Sequence, residues 1–298
     1  MTFFFITKDA LFKKKVLLVS IIICFFVTIF AIGAVTLFIV LTLSKEIHHS
    51  SHHWNYHEQD LWPGVCHLGT LQSPIALSDD DAIASEKINK IRFENIGFFE
   101  QFDVRNDGHS VTIRLDNCNR TKPVISGGGL AGNYTFDNMH FHWPSEHIIN
   151  GQHYALEAHL VFYSNNYESL SKALEEPNGI AVVAILFAVC NETLNDNFRA
   201  IDDSVREVSR KPLESSTNNA GMIFEDFLPK NNSFYKYSGS LTTPNCTENV
   251  GWFVFKDVSK ISINDLIELT DIYTEEGELL EYNNRLLQNV NNRTIIIL

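Results

Sequence analysis

Basic residues are scarce in this sequence, and so are proline and glycine. The 298 residues include 23 Lys and Arg against 36 Asp and Glu, which gives a formal net charge of -13. The only basic cluster is Lys13, Lys14 and Lys15 beside Lys8, so the electrostatics argue against a nucleic-acid partner. With 8 prolines and 15 glycines, the sequence has no Pro/Gly-rich linker, and it has no internal repeat. One large folded domain is the economical interpretation.

Charge is absent altogether from one long segment. The 28 residues from Val16 to Leu43 include no charged side chain, and as a helix they would cross a hydrocarbon layer of roughly 30 Å. Lysines precede this run, so the positive-inside rule places the N-terminus in the cytoplasm. A cleaved signal peptide is the alternative interpretation, but its apolar region is usually only about 7–15 residues long.

This topology divides the chain into four parts. We predict a cytoplasmic tail (1–15), a transmembrane signal-anchor in the lipid bilayer (16–43), a His-rich stalk (44–53) and a folded domain (54–298). The protein would be a single-pass type II membrane protein whose folded domain is extracellular or lumenal. Protein partners are unknown from the sequence.

Cysteine is also sparse, with five residues in the chain. Cys24 lies in the predicted span, and an oxidising compartment would favour pairing among Cys66, Cys118, Cys190 and Cys246. Sequence alone leaves three connectivities open. N-glycosylation sequons agree with the same side of the membrane; they lie at Asn119, Asn133, Asn191, Asn231, Asn245 and Asn292.

Strand patterns dominate the folded domain. Polar and apolar residues alternate from His109 to Asp116, and continuous apolar runs extend from Gly179 to Val189 and from Asn249 to Phe255. Helical periodicity appears only in short pieces, notably from Asn197 to Val208 and after Ser262, which is a plausible N-cap. A largely β domain with a few peripheral helices is predicted.

One stretch, "HFHWPSEHIINGQHYALEAHLVF" (140–162), contains five histidines around a hairpin signal. Asn-Gly at 150–151 favours a two-residue turn, and a hairpin about it pairs residues whose numbers sum to 301. That register sets His142 opposite His159, with His140 on the same face because side chains alternate along a strand. By the same parity His147 points to the other face, and His153 lies too far along its strand. Pro144 is the place where the register is most liable to slip.

Three neutral imidazoles on one patch suit Zn²⁺. His140, His142 and His159 would form an open catalytic site with water in the fourth position, whereas a closed structural site would need a fourth protein ligand. Glu157 shares the face of His159 and could accept a ring N–H from a ligand. An ordinary ion pair is the alternative for Glu157.

From Trp54 to about Ile297 the chain resembles the α-class carbonic anhydrases. The resemblance depends on the order and spacing of several motifs: "HWNY" (53–56), "QSPI" (72–75), "HFHW" (140–143), "SEH" (145–147), "EAHLV" (157–161), "GSLTTP" (239–244), "CTENVGW" (246–252) and "NNRLLQNVNNRTI" (283–295). It implies a mainly β (α+β) fold, with a large central, mostly antiparallel twisted sheet and peripheral helices, here preceded by the predicted transmembrane helix.

The resemblance also implies roles for individual residues. Zinc would bind His140, His142 and His159, and zinc-bound hydroxide would hydrate carbon dioxide reversibly to bicarbonate and a proton. Thr242 and Glu146 would orient the hydroxide, and His109 would move protons to buffer. The remaining implied residues are Thr243 near bicarbonate, the carbon dioxide wall of Val161, Val182, Leu241, Val250 and Trp252, the solvent-network residue Tyr56, Asn138 in place of a glutamine that bonds the first ligand, and a Cys66–Cys246 disulfide.

Two other functions compete with this one. A binding or adhesion protein could use the same scaffold without activity, although such relatives generally lack a zinc histidine and this chain keeps all three. A zinc hydrolase acting on esters is the third hypothesis, since activated water can attack other carbonyls.

Overall fold

The computed structural model describes residues 33, 35, 36, 54–99, 101–115, 121–191 and 196–298. The predicted tail and stalk lie outside these residues, as does the predicted span apart from Gly33, Val35 and Thr36, which are helical. Among the described helices, none is long and apolar enough to cross a membrane. Residues 54–298 form one compact unit.

The described part of the domain is built mainly from strands. They are β1 (Ala76–Leu77), β2 (Ile83–Ala84), β3 (Ile91–Glu94), β4 (Phe98–Phe99), β5 (Phe102–Asn106), β6 (Val111–Leu115), β7 (Val124–Gly127), β8 (Tyr134–His142), β9 (Ile148–Ile149), β10 (Leu156–Ser164), β11 (Ile180–Cys190), β12 (Ser215–Asn218), β13 (Met222–Ile223), β14 (Phe234–Gly239), β15 (Val250–Phe255), β16 (Ser259–Ser262) and β17 (Ile296–Ile297). The α-helices are α1 (Leu170–Ala173), α2 (Asp196–Val208) and α3 (Ile263–Thr270), with short 3-10 helices at Gln59–Leu61, Gly64–Cys66 and Phe224–Phe227.

Most of the described strands join one mixed sheet. Its main path runs β12-β5-β6-β8-β10-β11-β15-β14-β17-β2, with β16 paired to β11 and β7 linking β3 to β8. Pairing is antiparallel except where β15 and β16 meet β11 and where β2 meets β17. The prediction of a mainly β domain with a large, mostly antiparallel sheet and few helices is therefore confirmed.

Both predicted helices in the second half of the domain form. The side chain of Ser262 accepts a hydrogen bond from the backbone N–H of Asp265 at 3.0 Å and so caps α3. Helix α2 begins one residue before the predicted start at Asn197. Both helices lie beside the sheet, and their contacts include β5, β11, β12 and β16.

Strands β8 and β10 have different chemistry on their two faces. On one face Met139, Phe141, Leu160 and Phe162 belong to the main apolar core. On the other face lie the histidines of these strands, because side chains alternate along each strand. The central sheet therefore places polar side chains where most of their atoms are shielded from water.

Candidate metal centre

The Asn150-Gly151 turn forms as predicted, but the register of the strands beyond it differs. Both turn residues have positive φ, 49° and 79°, and Ile149 is bridged to Gln152. In the ladder of β8 with β10, however, His159 lies opposite His140, and Glu157 lies opposite His142. The predicted pairing of His142 with His159 is therefore wrong by two residues.

The cause of the shift is the segment between His142 and Ile148. Residues 143–147 leave β8, with bends at 143, 144, 146 and 147. They lengthen the connection to the turn without pairing with β10. Pro144, in the middle of this segment, has no backbone N–H to give to a ladder. Since a shift of two preserves side-chain parity, all three histidines still share one face.

The rings of His140, His142 and His159 form a tight cluster. Their centroids lie 5.2, 5.3 and 4.5 Å apart for the three pairs, and one nitrogen of each lies within 4.8 Å of the others. His142 and His159 are buried, and His140 is half-buried. Burial is the main cause that lowers the pKa of each imidazole, and the neighbouring imidazoles also lower the pKa of His140 and His159. All three rings are therefore favoured in the neutral form.

One nitrogen of each ring, here called the outer nitrogen, forms a hydrogen bond with an oxygen atom. His140 Nδ1 meets Asn138 Oδ1 at 3.0 Å, His142 Nδ1 meets the carbonyl of Asn283 at 2.7 Å, and His159 Nε2 meets Glu157 Oε1 at 2.7 Å. Because these oxygens accept, each outer nitrogen carries the proton. The inner nitrogens, Nε2 of His140 and His142 and Nδ1 of His159, are left with lone pairs.

These inner nitrogens fit a divalent transition metal. Nε2 of His142 is buried without a hydrogen-bond partner among the described residues, which is costly unless another group binds it. Three neutral imidazole nitrogens are the donor set of open zinc sites. Oxygen acceptors on the outer nitrogens are the arrangement that fixes ligand tautomer and orientation in such sites.

His147 occupies a different position from the one predicted. Its Nδ1 lies 2.6 Å from Glu157 Oε1, its Nε2 lies 2.7 Å from the Tyr237 hydroxyl, and its ring centroid is 4.9 Å from that of Trp252. The expectation that it points to the far face is wrong, because residue 147 has left the strand and parity no longer applies to it. His153 is exposed on the surface and is absent from the described histidine groups that could hold a metal.

Glu157 contacts the rings of both His147 and His159. It also accepts the backbone N–H of His147 at 2.8 Å. Burial raises the pKa of the Glu157 carboxyl, but the electrostatic interactions and hydrogen bonds with His147 and His159 outweigh it, so the pKa lies well below its ordinary value. The carboxylate is therefore favoured as an acceptor for His159.

Glu146 also lies beside the histidines, with its carboxyl oxygens 3.6 Å from His142 Nδ1 and 3.9 Å from His159 Nε2. Its Oε1 accepts the backbone N–H of Arg285 at 2.8 Å, while Oε2 makes no well-aligned hydrogen bond to a described residue. The pKa of Glu146 is raised to about 7, mainly by burial, although His159, the Arg285 N–H and the hydroxyl of the nearby Thr242 act in the opposite direction. Thr242 is buried too, so a hydroxyl and a carboxyl meet away from bulk water.

An apolar wall adjoins the cluster. Val161, Val182 and Trp252 follow one another across β10, β11 and β15, because Val161 pairs with Val182 and Val182 pairs with Trp252. The Trp252 ring centroid lies 4.8 Å from that of His159. Val250 belongs to the same buried group, and Leu241 packs against it. The five predicted wall residues are therefore together.

The loop that contains Thr242 and Thr243 is tied at several points. Leu241 N–H donates to the Thr247 carbonyl at 3.0 Å, and Cys246 N–H donates to the Thr243 carbonyl at 2.8 Å. A disulfide joins Cys66 to Cys246, which confirms the implied pairing. Cys118 lies outside the described residues.

His109 and Tyr56 both contact Trp54, the first residue of the folded domain. The imidazole of His109 stacks on Trp54, with centroids 3.8 Å apart and planes 14° from parallel. Tyr56 packs edge-on against Trp54, and its buried hydroxyl has no hydrogen-bond partner among the described residues. Burial raises the pKa of Tyr56 well above its ordinary value, so the hydroxyl stays protonated.

Comparison with known proteins identifies the family. The sequence profile of eukaryotic-type carbonic anhydrases matches residues 49–297. The chain belongs to this family. It is 31% identical to carbonic anhydrase 6 of Bos taurus over 281 residues, which cover 88% of this chain and 84% of that protein. Over 257 residues it is 30% identical to putative carbonic anhydrase 5 of Caenorhabditis elegans, covering 83% and 82%.

Four residues of this carbonic anhydrase site were not predicted individually. Asn283 and Arg285 hold His142 and Glu146 through backbone atoms, while Tyr237 bonds both His147 and the Ser73 hydroxyl, at 2.7 and 2.9 Å. Ser73, Asn283 and Arg285 lie inside motifs that support the family resemblance. The motifs could therefore have indicated these three residues. The periodicity of the strands could not show what each residue contacts.

Proposed function

We propose that this carbonic anhydrase uses zinc on His140, His142 and His159 to interconvert carbon dioxide and water with bicarbonate and a proton. The observation that carries the proposal is the cluster of three imidazoles whose outer nitrogens all bond oxygens. Bound zinc would supply Lewis acidity, which lowers the pKa of water so that a nucleophile is available near neutral pH.

Thr242 and Glu146 orient the attacking oxygen in this proposal. An ionised carboxylate only accepts, so the Thr242 hydroxyl donates to Glu146 and has its own oxygen free to accept from the nucleophile. The lone pair of the nucleophile is thereby directed at carbon. The ionised form of Glu146 is favoured when a divalent cation is held by the adjacent imidazoles.

The apolar wall and Thr243 bind substrate and product. Carbon dioxide has no charge to solvate, so the wall of Val161, Val182, Leu241, Val250 and Trp252 accepts it without desolvating a polar group. Thr243, beside Thr242, offers a hydroxyl to bicarbonate. His109 then moves the released proton to buffer, with Tyr56 in the connecting solvent network.

A zinc-and-activity measurement on the purified full chain tests the proposal. We expect about one zinc per chain by mass spectrometry of the metal, and carbon dioxide hydration in a stopped-flow pH assay. Chelation should remove both, and added zinc should restore both. Zinc-replete protein without hydration would favour the inactive binding scaffold, and faster turnover of a simple ester than of carbon dioxide would favour the hydrolase.

The setting of the enzyme is part of the proposal. The uncharged run at 16–43 and the lysines before it support a type II anchor with residues 54–298 outside the cytoplasm. The disulfide fits an oxidising compartment. The sequon residues Asn133, Asn231 and Asn292 are exposed. Protease protection in sealed microsomes and a mass shift on glycosidase treatment would test topology and glycosylation separately.

A further inference from the structure

Five exposed apolar side chains lie in two segments near the start and the end of the domain. We call them the leucine patch: Leu61 (75% exposed), Val65 (41%), Leu68 (83%), Leu286 (65%) and Leu287 (41%). Single exposed apolar residues need no explanation, but contiguous patches larger than about a few hundred Å² mark interaction sites.

Hydrogen bonds hold the two segments of the leucine patch together. Gln59 donates from Nε2 to the carbonyl of Asn284 at 3.1 Å, and its Oε1 accepts the backbone N–H of Leu286 at 2.9 Å. Arg285 donates to the carbonyl of Cys66 at 2.9 Å. Since Leu61, Val65 and Leu68 follow closely along the first segment, the five side chains share one region of the surface.

The stalk joins the domain at this same region. The rings of Trp54 and Trp62 lie 5.2 Å apart, and Trp62 Nε1 donates to the carbonyl of Asn55 at 2.8 Å. Trp62 directly follows Leu61. The ten predicted stalk residues, 44–53, reach at most roughly 35 Å when fully extended. The leucine patch is therefore the part of the domain beside the point of tethering.

We propose that the leucine patch rests on the surface of the lipid bilayer. This inference depends on the membrane anchor of the proposed function. Burial of apolar side chains at the boundary of headgroups and acyl chains stabilises such contacts, and a tether of ten residues gives this face a high effective concentration at the membrane.

The charges around the patch select the kind of lipid. Glu58 and Asp60 are exposed in the first segment, and the whole chain has a net charge of -13. Anionic headgroups would be repelled, so the contact is with neutral phosphatidylcholine and should depend little on salt. A stable dimer would need about 800 Å² on each partner, more than five side chains of this size present.

A fluorescent amino acid that reports its surroundings tests the contact in the full chain. A dansyl side chain would replace Leu68 in one protein and Ile267, an equally apolar residue on α3 that is 58% exposed, in the control. Each protein would be reconstituted at one chain per phosphatidylcholine nanodisc, with and without nitroxide-bearing lipid. We expect emission at position 68 to shift to the blue and fall to about half or less with nitroxide, the result for a group about 5–10 Å into the boundary, while position 267 is unchanged.

Two further measurements separate the outcomes. Retention of the chain in the disc fraction and hydration by the unlabelled enzyme are scored first, so failure of the anchor or of the activity is distinguishable from failure of the contact. The double variant Leu61→Ser, Leu286→Ser should reduce the quenching at position 68 without changing hydration. Absence of quenching at 68, or equal quenching at 267, overturns the proposal. A blue shift at position 68 that is seen only when several chains share one membrane also overturns the proposal, in favour of contact with a second copy.

Discussion

Strands β8 and β10 present two buried faces that differ in what burial costs. On one face Met139, Phe141, Leu160 and Phe162 pack in the apolar core, and each contributes free energy by leaving water. On the opposite face the histidines and Glu157 must recover the cost of burial through hydrogen bonds. Most of their polar atoms do so. The exceptions among the described residues include Nε2 of His142 and Oε2 of Glu146, and both lie at the candidate metal centre.

We therefore expect the apolar face to determine stability and the polar face to determine metal binding and turnover. A substitution on the apolar face should change the free energy of unfolding and leave the metal site intact in molecules that fold. A substitution on the polar face should change metal binding or turnover more than folding.

The largest effect is expected for His159→Ala, which removes one imidazole from the cluster. Zinc affinity should fall by far more than the roughly 10–100-fold that loss of an outer hydrogen-bond partner causes, and hydration should be abolished. Metal content after dialysis against a weak chelator and stopped-flow hydration would measure both.

Leu160→Ala, the adjacent residue on the apolar face, is the matched control. It should lower the free energy of unfolding by about 2–5 kcal/mol and keep one zinc per folded chain. If Leu160→Ala lost zinc as completely as His159→Ala at a denaturant concentration where it is folded, the two faces would not be independent.

Thr242→Ala should give the next largest effect, on turnover alone. Without the hydroxyl, the carboxylate of Glu146 no longer orients the nucleophile through Thr242, and kcat should fall by roughly 100-fold, the usual loss for one positioned hydrogen-bond group. Zinc content should not change. Thr242→Ser keeps a hydroxyl and should recover most of kcat; equal loss in the two variants would argue that the methyl group, and not the hydrogen bond, matters.

Glu157→Gln and Asn138→Ala compare a charged and a neutral acceptor on the ligands. Glu157 binds His159 and Asn138 binds His140. We expect zinc affinity to fall about 10–100-fold for Glu157→Gln and less for Asn138→Ala, because hydrogen bonds to a charged group are stronger. Competition with a calibrated chelator measures both, and the opposite order would contradict the role assigned to Glu157.

His109→Ala should slow turnover without changing zinc binding. The defect should be about tenfold in weak buffer, below the ~100-fold typical of a positioned acid or base, and should shrink as buffer concentration rises because buffer can take the proton directly. His153→Ala, on an exposed histidine, should have no effect at any buffer concentration. A defect in His109→Ala that ignored buffer would point to a structural role, such as its stacking on Trp54.

The fold and the candidate site differed in how far sequence could predict them. The hairpin turn at 150–151 and the cap at Ser262 depend on neighbouring residues, so local chemistry predicted them. The three histidines were grouped correctly despite a register wrong by two, because an even shift keeps every side chain on its face. His147 was misplaced because alternation ends where a strand ends. Asn283 acts on His142 across 141 positions, and no periodicity spans that separation.

The smallest effect is expected for Asp202 on α2, because it is a buried carboxyl outside the site. Its Oδ1 has no hydrogen-bond partner among the described residues, as with Glu146 Oε2, but carboxylates surround it instead of imidazoles. Burial, together with the charges of Asp265 and Glu268, raises the pKa of Asp202 from 3.8 to about 8, against the opposing charge of Arg206. The folded protein thus keeps a proton that the unfolded chain has released.

Between about pH 4 and pH 8 the native state therefore binds more protons at Asp202 than the unfolded state, so its contribution to stability falls as the pH rises through this range. Asp202→Asn removes the ionisation and should stabilise the protein at pH 9 by about 1 kcal/mol, the low end for a buried unsatisfied group, with little change near pH 4. Denaturant unfolding at the two pH values measures this, with hydration expected to match the unmodified enzyme. A stabilisation that is equal at both pH values would show that Asp202 is not protonated in the fold, and lost hydration would show that an unpartnered buried oxygen affects chemistry even without a histidine beside it.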